Sequence, residues 1–186
     1  MSGWTRFLEA WLVHTFEELP SDWKAEIVDG EVVVLAPDTA ANGRARDGIV
    51  RSLHAVEQPG GPRVYGSRVP FLVNLPHRGA FSPDVAWFAG PSSEHDFPIG
   101  APIFAVEVRN PHEYGPRMEA KLARKRADYF AAGTQVVWDV DPERPDAVRV
   151  YRAGGDDALN VFRAGDVADA EPAVPGWRFP VDELFL

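Results

Sequence analysis

Four places in this 186-residue chain carry side chains that could do chemistry together. Asp84 follows Pro83 at the mouth of the apolar run Val85-Ala86-Trp87-Phe88. Glu107 lies inside a second run about twenty residues later, Ile103-Phe104-Ala105-Val106-Glu107-Val108-Arg109-Asn110-Pro111. Lys121 and Lys125 stand one helical turn apart in a basic stretch. Glu26 precedes the pair Asp29-Gly30. Hydrolysis of a phosphodiester needs a metal held by carboxylates, which engages a phosphate oxygen and lowers the pKa of a bound water. Mg²⁺ takes few protein ligands, commonly one or two carboxylates, with water and phosphate completing its shell. An ammonium nearby can orient the attacking water and stabilise the charge that develops. Two acids and a lysine are therefore a sufficient minimal set.

Each residue also has a plainer reading. Asp84 could cap a strand by accepting a backbone N–H. Glu107 could pair with Arg109, two residues on and on the same strand face; burying an acid is costly unless something compensates it. The lysines could belong to a solvated helix face with Arg117, Arg124 and Arg126, a cluster able to contact phosphates. Glu26 could form a salt bridge within a hairpin. The five histidines are scattered, without metal-ligand spacing.

The elements that must position these residues are readable from pattern. Residues 103–109 form a short buried strand, with Phe104, Val106 and Val108 on one face and Ile103, Ala105, Glu107 and Arg109 on the other. Arg117 to Ala132 is a helix stopped by Gly133. Thr134 to Val140 is the next strand, and Ala147 to Tyr151 its hairpin partner. Asp29-Gly30 between Trp23–Val28 and Glu31–Leu35 signals a two-residue hairpin. Arg6 to Glu18 is helical, with Phe7, Leu8, Trp11, Leu12 and Phe16 inward, and Leu19-Pro20-Ser21-Asp22 ends it. Arg44 to Glu57 is a second helix with Ile49, Leu53 and Val56 inward. Val64 to Leu75 is β-like with a break at Arg68-Val69-Pro70, and His77-Arg78-Gly79 is a turn. Trp177, Phe179, Leu184 and Phe185 anchor the C-terminal tail. The order predicts an α/β (mixed α+β) fold, a mixed sheet flanked by helices. The whole chain, 1–186, reads as one domain, with a core over about 23–152 and a tail over 153–186 packing on it.

Composition narrows the class. A net charge of −9 counts against a general nucleic-acid binder, which shows a basic face, but leaves room for a local basic patch or for a site where a divalent ion offsets acid repulsion. The absence of cysteine excludes disulfides, thiolate chemistry and Cys-bound zinc, and fits a cytoplasmic protein. No basic start followed by an apolar core marks a signal peptide, and no run approaches the ~20 apolar residues of a membrane span.

The order of blocks resembles the Uma-two family of bacterial restriction endonucleases, a branch of the PD-(D/E)xK nuclease superfamily. The matching pieces are Glu26-Ile27-Val28-Asp29-Gly30-Glu31; Ser82-Pro83-Asp84-Val85-Ala86; Ala105-Val106-Glu107-Val108-Arg109-Asn110-Pro111; Lys125-Arg126-Ala127-Asp128-Tyr129-Phe130-Ala131-Ala132-Gly133; and Val136-Val137-Trp138-Asp139-Val140-Asp141-Pro142. The resemblance implies a restriction-endonuclease-like sheet and a Mg²⁺- or Mn²⁺-dependent hydrolase acting on DNA. Its metal would sit on Asp84, Glu107 and the Val108 carbonyl, with Glu26 joining from the hairpin. The superfamily's lysine two residues after the glutamate is Arg109 here, and arginine is not an equivalent replacement. The resemblance then implies that the lysine has moved to the helix, at Lys125, with Lys121 as competitor. Arg109 would contact a substrate phosphate or pair with Glu107. Asn110 stands where many relatives have serine, and Asn42 to Arg46 where many have a histidine. A homodimer is the expected way to cut two strands. A non-catalytic interaction or nucleic-acid-binding module on the same fold is the alternative.

Overall fold

A computed structural model describes residues 3–18, 20, 23–35, 37–93, 95–154 and 160–186. The chain runs α1 (Gly3–Glu18), β1 (Lys24–Val28), β2 (Glu31–Leu35), α2 (Ala40–His54), β3 (Arg63–Tyr65), β4 (Phe71–Leu75), β5 (Arg78–Phe81), β6 (Val85–Phe88) and β7 (Phe104–Val108). It continues through α3 (Pro116–Ala131), β8 (Val136–Val140), β9 (Val148–Arg152), β10 (Asn160–Phe162), β11 (Val167–Asp169), β12 (Arg178–Pro180) and a closing 3₁₀ turn (Val181–Phe185).

Two sheets carry the architecture. The larger has the order β10-β9-β8-β7-β6-β3, and the smaller β2-β1-β5-β4. Only β7 and β8 pair in parallel in the larger sheet, with α3 as the connection between them. A parallel neighbour requires such a crossover, and the largely apolar β7 and β8 sequences, each broken by one acid (Glu107 and Asp139), reflect burial on both faces. Phe104, Val106 and Val108 face a core with Ile49 and Leu53 of α2 and with Trp177, Phe179 and Leu184 of the tail. Ala105 faces the other way, toward Tyr129 of α3 and Phe71 and Phe81 of the smaller sheet. The expected alternation holds within Phe104–Val108, but Ile103, just before the strand, packs against the same core as Phe104 rather than with Ala105. α1 lays Leu8 and Leu12 against Ala25, Ile27, Leu72 and Ala80 of the smaller sheet.

The hairpin turn falls at Asp29 and Gly30, with φ of 52° and 77°. Two consecutive positive φ values define the turn that matches strand twist. It sets the register Val28↔Glu31 and Glu26↔Val33.

Several expectations need correction. Residues 78 and 79 belong to strand β5, and Arg78 is buried; the turn before it is shorter than the Pro-His-Arg-Gly composition suggests. The β-like stretch 64–75 splits between sheets: β3 pairs with β6, whereas β4 pairs with β5. α2 starts four residues earlier than Arg44, because the Thr39 hydroxyl caps it by accepting the Asn42 N–H. Val56 lies beyond that helix and is exposed. Phe7 and Trp11 lie side by side at the surface with ring planes tilted by 42°, 62% and 37% exposed, while Glu9 takes an inward position and accepts the His95 N–H. Phe185 is also exposed. Residues 19, 21 and 22 and the Phe16 side chain lie outside the described residues. Among the described residues no helix is long and apolar enough to cross a membrane.

Candidate active site

The two acids meet where β6 and β7 run side by side. Val85 lies opposite Val106, so Asp84, one residue earlier, comes beside Glu107, one residue later. The Asp84 N–H donates to the Val106 carbonyl at 3.0 Å, and its Oδ2 accepts the Val108 N–H at 2.7 Å. Pro83 precedes this junction without an N–H to place. Asp84 is thus fixed by two backbone bonds as well as by burial, at 2% exposure.

β1 and α3 supply the rest. Glu26 accepts the Ser82 N–H at 3.1 Å, and the Ser82 hydroxyl donates to the Ala25 carbonyl at 2.6 Å. These bonds join the hairpin strand to the segment carrying Asp84. Lys125, from the face of α3 turned to the sheet, reaches both Glu26 Oε1 at 2.8 Å and Glu107 Oε2 at 2.7 Å. The Tyr129 hydroxyl, one turn further along α3, donates to Glu107 Oε1 at 2.6 Å, and its ring stacks on Phe81 at 4.0 Å. Asp84, Glu107, Glu26 and Lys125 are therefore brought into one buried cluster. Lys121 is not: it lies exposed, one turn before Lys125 toward the start of α3.

Sequence reasoning missed two members. Lys24 is only 6% exposed, and its ammonium donates to Asp84 Oδ1. It shares a strand face with Glu26, two residues on, and that spacing was the available signal. Arg78 donates to Glu26 Oε2 at 2.9 Å and to Asp128 Oδ2 at 2.7 Å, while His77 bonds the other oxygen of Asp128. Reading residue 78 as part of a turn hid it.

Arg109 needs correction as partner of Glu107. Its guanidinium holds Asp139 through two bonds and also pairs with Glu119. It is 4% exposed, so a phosphate would have to displace two carboxylates to reach it. The basic face of α3 is likewise partly committed: Arg124 pairs with Asp29 at 2.9 Å, and Arg126 lies over the Tyr151 ring at 3.9 Å. In the histidine's expected place, Asn42 donates to the Arg109 carbonyl at 2.9 Å and to Asn110 Oδ1 at 3.0 Å.

Electrostatics set the acids apart. Burial raises Glu107 to about 7, helped by the charges of Asp84 and Glu26 and only partly opposed by Lys125. Burial acts the same way on Glu26, but Lys125 and Arg78 outweigh it and hold that carboxyl at about 2. The two share one ammonium, so a proton taken up there belongs to the pair. Burial lowers Lys24, yet Asp84 and Glu107 outweigh it and keep the amine above its ordinary value. Among the described residues no three of His, Cys, Asp and Glu cluster closely enough to hold a metal between them.

A cleft of about 480 Å³ opens alongside, lined by Asp38, Thr39, Gly43, Arg46 and Arg68 among others. It neighbours the cluster: burial and then the charge of Asp84 raise Asp38, and Lys24 pulls it down. Arg68 is held at the cleft wall by donating to the Trp23 carbonyl at 3.0 Å.

Comparison with known proteins follows the same lines. A family model described as "Uma2: Putative restriction endonuclease" matches residues 13–182. A solved structure described as a putative nuclease belonging to DUF820, from Anabaena variabilis ATCC 29413, superposes with a TM-score of 0.72 at 17% identity, covering 94% of this chain and 96% of that one. No curated protein matches.

Proposed function

The chain belongs to the Uma2 family of restriction endonucleases, and from that premise we propose that it is a Mg²⁺- or Mn²⁺-dependent nuclease hydrolysing DNA phosphodiesters. The observation that carries the reading is the convergence of Asp84, Glu107 and Lys125 from three separate elements into one buried cluster.

The donor set fits a hard divalent cation. Asp84 and Glu107 are oxygen ligands on neighbouring strands, and Glu107 is held at about 7 by burial beside two further acids, a cost that a cation would relieve. Asp84 and Glu107, with the Val108 carbonyl, would hold the ion, and water would fill the remaining positions. Such an ion, when bound, supplies positive charge to the phosphate and acidity to a water. The protein's own groups do the positioning. Lys125 supplies a fixed ammonium beside Glu107, able to orient a water and to donate to the charged phosphate oxygens. Glu26 holds that ammonium from the opposite side. Tyr129 fixes the Glu107 carboxylate through its hydroxyl. A cleft of about 480 Å³ next to the acids, with Arg46 and Arg68 in its lining, is where a strand would approach. Pairing of two copies would serve double-strand cutting.

The test is cleavage of single- and double-stranded DNA with Mg²⁺ or Mn²⁺, with Asp84→Asn and Glu107→Gln as controls and calorimetric metal titration alongside. The reading requires cutting by the native chain and loss of cutting in both variants. Absence of metal binding, or cutting that survives both substitutions, ends it. One observation favours the non-catalytic alternative: the oxygens of Asp84, Glu26 and Glu107 already accept bonds from within the protein. That reading requires DNA or protein binding that is unaffected by the same substitutions.

A further inference from the structure

Lys24 lies deep in the cluster but has no part in the mechanism above. Its ammonium can donate three hydrogen bonds, and the bond found for it goes to Asp84 Oδ1. Asp84 Oδ2 is turned the other way, to the Val108 N–H. The carboxylate that would anchor a metal thus already carries one cation, on the side facing β1.

Two-metal nucleases place their ions about 3.5–4 Å apart, one on each side of a shared carboxylate, to stabilise the attacking and the leaving oxygens. Here one side of the acid pair has Lys125, between Glu26 and Glu107, and one side of Asp84 has Lys24. Charge points the same way. Three carboxylates face these two ammoniums, while Arg78 and Asp128 balance each other, leaving an excess of one negative charge. One divalent ion reverses that excess. A second would add two more positive charges within a few ångströms, where water is sparse and repulsion is strong.

We infer that the Lys24 ammonium stands in for a second divalent ion, so that the site takes one metal per chain. This inference rests on the metal-dependent reading given under Proposed function.

The experiment counts bound Mn²⁺ by calorimetry and by loss of the free-ion electron paramagnetic resonance signal. It uses the native chain, Lys24→Gln and Lys24→Arg. Glutamine removes the charge but keeps an N–H donor for the buried Asp84; arginine keeps the charge. Native protein and Lys24→Arg are expected to bind one Mn²⁺. Lys24→Gln is expected to bind two, with the broadened spectrum of spin-coupled ions. Two ions on the native chain overturn the inference and leave the nuclease reading standing, whether or not the variants fold. A single ion on a folded Lys24→Gln also overturns it. No ion on any of the three overturns both.

Discussion

Arg109 and Asp139 face each other across the parallel β7–β8 pair through two side-by-side hydrogen bonds, Nε to Oδ1 and Nη2 to Oδ2, each 2.6 Å long. The register explains the choice of partner. Glu107 lies opposite Asp139, so two buried acids meet across the strands and each needs its own cation. Lys125 serves the first and Arg109 the second. Arg109 therefore has a structural task.

Replacing Arg109 should therefore cost stability. Arg109→Met leaves Asp139 buried without its partner, a loss on the order of 3–5 kcal/mol. Arg109→Lys should recover little of it, since a single ammonium cannot match the planar fork. Urea denaturation measures both. A loss below about half a kcal/mol in either variant would mean that the pairing is incidental.

The two helix lysines should separate cleanly. Lys125→Met removes the ammonium between Glu26 and Glu107 and should lower the DNA cleavage rate by about 10²–10³-fold, the usual effect of losing one preorganised donor. Lys121→Met changes an exposed residue and should leave the rate within about threefold. Single-turnover kinetics on both variants decides the matter; equal effects would assign the role to the helix's general charge.

Much of this site was legible because it follows from strand periodicity. Glu107 is visible as an acid in an apolar run, Asp84 as a carboxylate at a strand mouth, and Asp29-Gly30 as a turn that only left-handed residues make easily. What stayed hidden depends on pairing between sheets. Nothing near Lys24 in the chain says that β1 comes alongside Asp84, since that follows from Ser82 bonding to Glu26 and Ala25 some 56 and 57 residues away. Arg78 looked like turn chemistry because Pro76, His77 and Gly79 surround it. Arg109 was assigned to Glu107 by same-strand spacing, whereas the closer acid comes from the neighbouring strand.

Stability should respond to pH with opposite signs at the two glutamates, measured in chelator. Glu26, held at about 2, contributes stability that is present above about 4.5 and lost as pH falls toward 2. Glu107, raised to about 7, binds its proton more tightly folded than unfolded, so its contribution is full below about 4.5 and lost as pH rises through 7. Denaturation from pH 3 to 8 should give a maximum near the middle of that range. Glu107→Gln should remove the fall on the alkaline side; a fall that persists would assign it to another group.

Tyr129→Phe keeps the stacked ring and removes one hydroxyl. Glu107 then loses a donor to its charged form, which costs about 1–3 kcal/mol and moves its titration upward. Carboxyl-carbon NMR of the folded variant reads the shift. A titration that stays in place would mean that the hydroxyl contributes nothing to the poise of the acid.

The bond from the Val108 amide to Asp84 makes the acid pair a single rigid piece, stapled at the rim of one sheet. The ammoniums are mounted elsewhere: Lys24 on the hairpin and Lys125 on the crossover helix. Slight breathing of those mounts changes the spacing of opposite charges while the spacing of the acids holds. On the nuclease reading, warming or tension on the hairpin would therefore slow cutting before the fold melts.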